Sequence, residues 1–121
     1  MDLAGLEQRL ARLEDDRAIR DLKARYLRAC DAKDVGTLRE TLLPDGAVIA
    51  FDGFPPLDGR DAFVALYSQM ACIPGVFDIH HGANGVITFE TPGRARGAPA
   101  GQWARTRARS PVMPPPAIST V

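Results

Sequence analysis

The spacing of apolar residues changes character at Gly75, and that change limits the folds open to this chain. Before it, apolar side chains recur three and four residues apart in separate segments, the mark of amphipathic helices. After it, "VFDIHHGANGVITFE" (76–90) is rich in β-branched and aromatic residues, as strands are. Leu6, Leu10 and Leu13 fall at helical spacing, and so do Ile19, Leu22 and Tyr26, but the two sets do not share a phase. The pattern predicts a short leading helix, an adjustment near Glu14-Asp15-Asp16, and a main helix over 16–29. Asp15 and Asp16 suit the N-terminal end of that main helix, where carboxylates accept orphan amide hydrogens. The leading leucines, Leu3 included, leave two readings open: an arm on a partner subunit, or packing on the body of the same subunit. Arg17, Arg20, Lys23, Arg25 and Arg28 mostly fall on the other faces and read as a solvated surface.

"DVGTLRETLL" (34–43) reads as a second helix, with Asp34 as its N-cap and Val35, Leu38 and Leu42 as its buried stripe. "PDG" stops it, "AVIAF" (47–51) is a β-rich run, and "DGFPPLDG" (52–59) is a loop because its prolines and glycines sustain neither a ladder nor a helix. Asp61 opens a third helix whose Phe63, Leu66, Tyr67 and Met70 form one stripe. Two readings compete in the strand region. Asn84-Gly85 is a tight hairpin turn between two short strands, or one long strand runs from Val76 to Phe89, bent at its glycines, with the hairpin at "ETPGR". Either order gives an α+β domain, with helices gathered on one side of a curved antiparallel sheet.

Charge divides the chain. All 15 acidic residues lie in 1–91 against 10 basic ones, a balance of −5, while the last 30 residues carry five arginines and no acid. Those 30 residues also hold six of the ten prolines. The expected division is therefore a globular α+β domain over 1–97 and an irregular Pro/Arg-rich tail over 98–121, with Pro99 interrupting any central strand and Pro114 to Pro116 extended. Two cysteines, Cys30 and Cys72, are too few for a disulfide framework and read as small core residues. No apolar run is long enough for a membrane span. The start lacks a basic region followed by an apolar stretch, so a cytoplasmic protein is expected. Basic residues in the body are scattered and outnumbered, which argues against nucleic-acid binding.

Few residues are equipped for chemistry: Tyr26, Asp31, His80, His81 and Asn84. Neighbouring histidines on a strand point to opposite faces, so His80 and His81 do not readily share a metal, and no metal is expected. Singly, each has a plain reading. Tyr26 continues the Ile19–Leu22 stripe as core, Asp31 is a solvated loop residue, and one histidine is a buried neutral imidazole. Asp31 is nonetheless odd, because an anion near a helix C-terminus opposes the macrodipole by about 0.3–1 kcal/mol. Together they fit one mechanism: an imidazole removes a proton α to a carbonyl, a tyrosine hydroxyl donates to the enolate oxygen, and a carboxylate orients the imidazole.

Three blocks, "AIRDLKARYLRACDAKDVGTLRETLLPDGAV", "LDGRDAF" and "HHGANGVITF", with their spacing, resemble the SnoaL-like branch of the nuclear transport factor 2-like superfamily. The likeness is to its scytalone dehydratase and bile-acid dehydratase group, over residues 5–97. It implies a cone-shaped α+β fold enclosing a pocket, and cofactor-independent dehydration or isomerisation of a hydrophobic ketone, lyase or isomerase chemistry. It implies catalytic roles for Tyr26, Asp31 and His80, and lesser, substrate-binding roles for Phe51, His81 and Asn84. Phe51 stands where relatives often carry a second pocket tyrosine, so that hydroxyl is missing from the pocket. The implied partners are a small hydrophobic molecule and a second copy of the chain, since members commonly dimerise through the sheet. The same fold also serves as a non-catalytic ligand-binding or subunit-docking module. The likeness stops after "GRARGA", where relatives continue with further long strands, and the arginine- and proline-rich tail reads as a truncated or frameshifted terminus.

Overall fold

The computed structural model describes residues 2–50, 53–82, 84–99, 104–108 and 117–120. Three helices come first: α1 (Leu3–Ala32), α2 (Val35–Glu40) and, after the short strands β1 (Val48–Ile49) and β2 (Leu57–Asp58), α3 (Arg60–Ala71). Five strands follow: β3 (Phe77–His81), β4 (Gly85–Thr91), β5 (Arg94–Pro99), β6 (Ala104–Ala108) and β7 (Ala117–Thr120). Every pairing is antiparallel: β1 with β2, β4 with β5, and β3–β6–β7 as a three-stranded sheet. The fold is α+β.

The first two expected helices are one. α1 runs unbroken for 30 residues, capped by Asp2, whose Oδ1 accepts from the Gly5 amide at 2.7 Å, rather than by Asp15 or Asp16. Nothing in "EDD" breaks a helix, and Asp16 instead pairs with Arg20 one turn on, at 2.7 Å. The shift in apolar phase marks a change in which face is covered. The C-terminal half buries Ala29 and Cys30, while Leu3, Leu6, Leu10 and Leu13 are exposed. Arg12 lies 5.0 Å above the Phe89 ring and ties this half to β4.

α1 ends in a Schellman motif. Lys33 takes the left-handed conformation (φ 57°), its amide donates to the Cys30 carbonyl, and the Asp34 amide donates to the Ala29 carbonyl. Asp34 then caps α2, accepting from the Thr37 amide at 3.1 Å and the Thr37 hydroxyl at 2.7 Å, bonds that hold its carboxyl below the usual range. This sharp reversal folds α2 back on α1. Leu38, fully buried, joins Ala29, Cys30 and Phe63 in the core, with Tyr26, Leu42 and Tyr67 packed around them. Tyr67 donates its hydroxyl to the same Cys30 carbonyl, a second donor beside the Lys33 amide. Met70, expected in the α3 stripe, is exposed, because α3 meets α2 and the β1–β2 pair along Phe63 and Val64.

The loop expected over 52–59 contributes β2 at its end, whose pairing with β1 needs only Leu57 and Asp58. In the strand region, β3 and β4 do not pair with each other. The chain breaks at Gly82 and at Asn84, which has φ 58°, and the hairpin turn is Pro92-Gly93, where Thr91 faces Arg94. Asn84-Gly85 is therefore not a hairpin turn, and the hairpin of the second reading is the one observed, but its single long strand is two, β3 and β4, in separate sheets. The segment expected to be irregular holds strands: β5 runs through Pro99, and β6 and β7 extend the sheet from β3. Pro99 is accommodated because it is the last residue of β5, where a missing N–H does little harm.

Candidate active site

The site is built where β3 crosses the C-terminal end of α1. Along β3 the side chains alternate, with Phe77, Ile79 and His81 exposed and His80 half-buried. His80 meets Asp31 of α1. Its main-chain amide donates to both carboxylate oxygens, at 3.0 and 3.1 Å, and its ring Nδ1 lies 2.6 Å from Oδ1. An ionised carboxylate only accepts, so Nδ1 carries a proton and the neutral ring presents its lone pair at Nε2. Asp31 thereby sets ring orientation, sets the tautomer, and stands ready to stabilise the ring once charged.

This pair forms part of the wall of a cavity of about 580 Å³. One wall is α1, through Ile19, Lys23, Leu27 and Asp31 in successive steps of four, with Arg20, Ala24 and Arg28 beside them. The other is the strand region, where Gly82, Gly85, Gly97 and Ala98 leave room that larger side chains would fill, and Val86 and Ile87 add apolar surface. Arg20 fastens the two walls, donating to the Gly85 carbonyl at 3.1 Å while held by Asp16. The volume is in the range of small-molecule sites, and apolar lining with a few convergent polar groups is their usual make-up.

Of the sequence candidates, Asp31, His80 and Asn84 come together at this cavity. His81 does not; it lies exposed on the outer face of β3. Phe51 lies outside the described residues. Tyr26 is turned from the cavity toward the core, its ring stacked on Phe63 at 6.4 Å between centroids and its hydroxyl hydrogen-bonded with Cys30. The reason is helical geometry. Five residues along a helix turn a side chain by about 140°, so Tyr26 and Asp31 do not share a face. Burial pushes the Cys30 thiol up to about 11, against the opposing pull of Tyr26.

Sequence reasoning left Arg20, Lys23 and Arg28 as solvated surface, yet all three line the cavity. The signal was available, because stepping back from Asp31 by fours gives Leu27, Lys23 and Ile19. Removal from water holds the Lys23 ammonium below its ordinary range, and it lies 4.9 Å over the Tyr26 ring. Among the described residues, Arg28 makes no ion pair, and Asp31 is the one acid lining the cavity.

The SnoaL-like domain family matches residues 11–111. The chain belongs to this SnoaL-like family. The match runs past residue 97, where the sequence likeness was placed, and takes in β5 and β6. Two solved structures share the nuclear transport factor 2-like fold. One is of a candidate scytalone dehydratase from Novosphingobium aromaticivorans DSM 12444, with TM-score 0.73 and 19% identity over 91% of this chain and 70% of that one. The other is of a hexachlorocyclohexane dehydrochlorinase (LinA) type 2, with TM-score 0.66 and 17% identity over 93% of this chain and 92% of that one. No curated protein sequence matches this SnoaL-like chain. Among the described residues, no helix is long and apolar enough to cross a membrane.

Proposed function

We propose that this protein is a cofactor-independent dehydratase or isomerase that removes a proton α to the carbonyl of a hydrophobic ketone. The observation that carries the reading is the His80–Asp31 pair in the cavity wall. Nε2 of His80 takes the α-proton, and the electron pair of the broken C–H bond moves into the enolate. In a dehydration the enolate expels a β-hydroxyl, which leaves as water with the proton returned by the imidazolium. In an isomerisation the same proton goes back to a different carbon. Asp31 stabilises the imidazolium in between, and the cationic α1 wall faces the oxygen where negative charge develops. That both structural neighbours are named for eliminations, of water and of hydrogen chloride, supports the class of reaction.

Tyr26 takes no direct part in this scheme, since its hydroxyl is engaged with Cys30. That placement also favours a second reading, a ligand-binding module of the same fold without turnover, because the family's expected donor is absent from the cavity wall. A panel of β-hydroxy ketones, followed by ultraviolet absorbance of the conjugated product, separates the two. Turnover that disappears in His80→Ala, with an unchanged far-ultraviolet circular dichroism spectrum, supports the enzyme. Ligand binding with no turnover of any ketone supports the module.

A further inference from the structure

A glycine inside a strand weakens it, because it has the most backbone freedom to lose and no side chain to pack. Where one stands, it commonly marks a bulge, a tight bend, the close approach of another backbone, or a bound ligand. Gly97 stands inside β5 (Arg94–Pro99), opposite Ile87 in regular register, and the irregularity of this hairpin lies away from it, between Phe89 and Thr91. Its φ is not positive, unlike those of Gly46 and Gly59, so the backbone does not call for glycine. No described atom lies within 4 Å of where a Cβ would stand, so no neighbour calls for it either. A ligand is the reason that remains.

The open space beside Gly97 belongs to the cavity. β4 turns Gly85 and Phe89 toward α1, since a Cβ on Gly85 would stand 3.7 Å from Arg20 Nη1 and Arg12 lies over the Phe89 ring. Ile87 shares that face, while Val86 and Thr88 between them are exposed. Residues opposite one another across an antiparallel pair project to the same side, so position 97 looks toward α1 with Ile87, and both line the cavity. Arg12 meets Phe89 and Arg20 meets Gly85, which sets Ile87 and Gly97 level with the turns of α1 between these two arginines. Asp31 lies eleven residues beyond Arg20, roughly 16 Å along the helix axis. Gly97 therefore lines the end of the cavity remote from the His80–Asp31 pair.

We propose that Gly97 is a specificity-determining residue that sets the length of ligand this cavity accepts. An elongated apolar ketone lies with its far end on the bare backbone of Gly97, beside Ile87, while its reacting carbon meets His80. This rests on the reading of the cavity as the reacting site and adds the shape of the substrate to it. A side chain at position 97 fills the room the far end needs, so long ligands are turned away. Short ligands, which never reach Gly97, bind as before.

Ligand-observed NMR titrations of the full chain with 2-acetylanthracene, a long fused-ring ketone, and with the single-ring acetophenone test this. The wild type is expected to bind both. Gly97→Val should weaken 2-acetylanthracene by about tenfold or more and leave acetophenone within about twofold. Valine suits a strand better than glycine, so the urea midpoint of this variant should hold or rise. Gly97→Ala adds a single carbon, should weaken the long ketone by about threefold, and takes the place of the valine variant if that one misfolds. Gly93→Ala is the control. A Cβ there also meets nothing within 4 Å, but the residue sits in the β4–β5 turn and does not line the cavity, so both affinities should stay unchanged. Unaltered affinity for the long ketone in folded Gly97→Val, equal weakening of both probes, or no binding of either by the wild type overturns the proposal. Turnover keeps the two readings apart. If no β-hydroxy ketone is turned over while Gly97→Val still separates the probes, the role of Gly97 stands and the enzyme falls. Turnover by the wild type with no separation of the probes does the reverse.

Discussion

Asp31 is bonded through both carboxylate oxygens to one residue, His80, which lies 49 positions further along the chain. The main-chain amide shares its single hydrogen between the two oxygens, and ring Nδ1 gives a second bond to Oδ1. Hydrogen bonds to a charged group contribute about 1.5–3 kcal/mol each, whereas the macrodipole at the helix end opposes the carboxylate by about 0.3–1 kcal/mol. The hydrogen bonds win, and the unfavourable placement of an acid in the last turn of α1 is explained by a partner on another element.

Replacing Asp31 with Asn keeps the shape and removes the charge. The amide presents one acceptor and one donor, so a donor of His80 is left facing a donor. Stability is expected to fall by about 1–3 kcal/mol in urea denaturation, and ketone turnover by about a hundredfold or more. Turnover within a factor of about three of wild type, with the fold intact, would remove Asp31 from the mechanism.

Tyr26 gives the opposite expectation. Tyr26→Phe keeps the stack on Phe63 and loses the hydrogen bond with Cys30. Stability should drop by about 0.5–1.5 kcal/mol, with turnover little changed. Loss of turnover by about a hundredfold in this variant, at unaltered substrate affinity, would return the hydroxyl to the reacting centre.

Cys30 makes the fold sensitive to alkali. Burial pushes its thiol up to about 11 in the folded state, above its ordinary value of 9.0, so the unfolded chain releases this proton first. The stabilisation is complete below about pH 9 and is lost progressively as pH rises toward 11. Denaturant midpoints between pH 8 and pH 11 should therefore fall by an amount equivalent to on the order of 2 kcal/mol, and Cys30→Ala should flatten that dependence. In the native state, an alkylating reagent at neutral pH is expected to modify the half-buried Cys72 and leave the buried, protonated Cys30 untouched.

Leu38 is the fully buried anchor of α2 against α1 and α3. Leu38→Ala should cost about 2–5 kcal/mol, because the atoms removed leave a cavity bounded by rigid helices. Urea midpoints give the value directly. Since the Schellman reversal holds the end of α1 that bears Asp31, the variant is also expected to loosen the His80 contact and lower turnover.

Local chemistry was legible in the residues themselves. Asp34 as a cap, the α3 start, the alternation that puts His80 and His81 on opposite faces, and the α+β order all follow from interactions within a few positions, where a spacing and a propensity suffice. The bend at 82–85 and the turn at Pro92-Gly93 were among the readings that glycine and proline allow. The continuity of α1 was missed because a change in apolar phase looks like a break, when it records a helix whose two halves meet different surroundings. The strands at 104–108 and 117–120 were missed because the arginines and prolines spread through that segment read as irregular, while β6 forms by pairing with β3, distant in sequence, and β7 by pairing with β6. What only tertiary structure decided is which groups meet. A helix presents all its faces in the sequence with equal weight, and only the docking of β3 across the end of α1 selects the Asp31 face for the cavity and sends Tyr26 to the core.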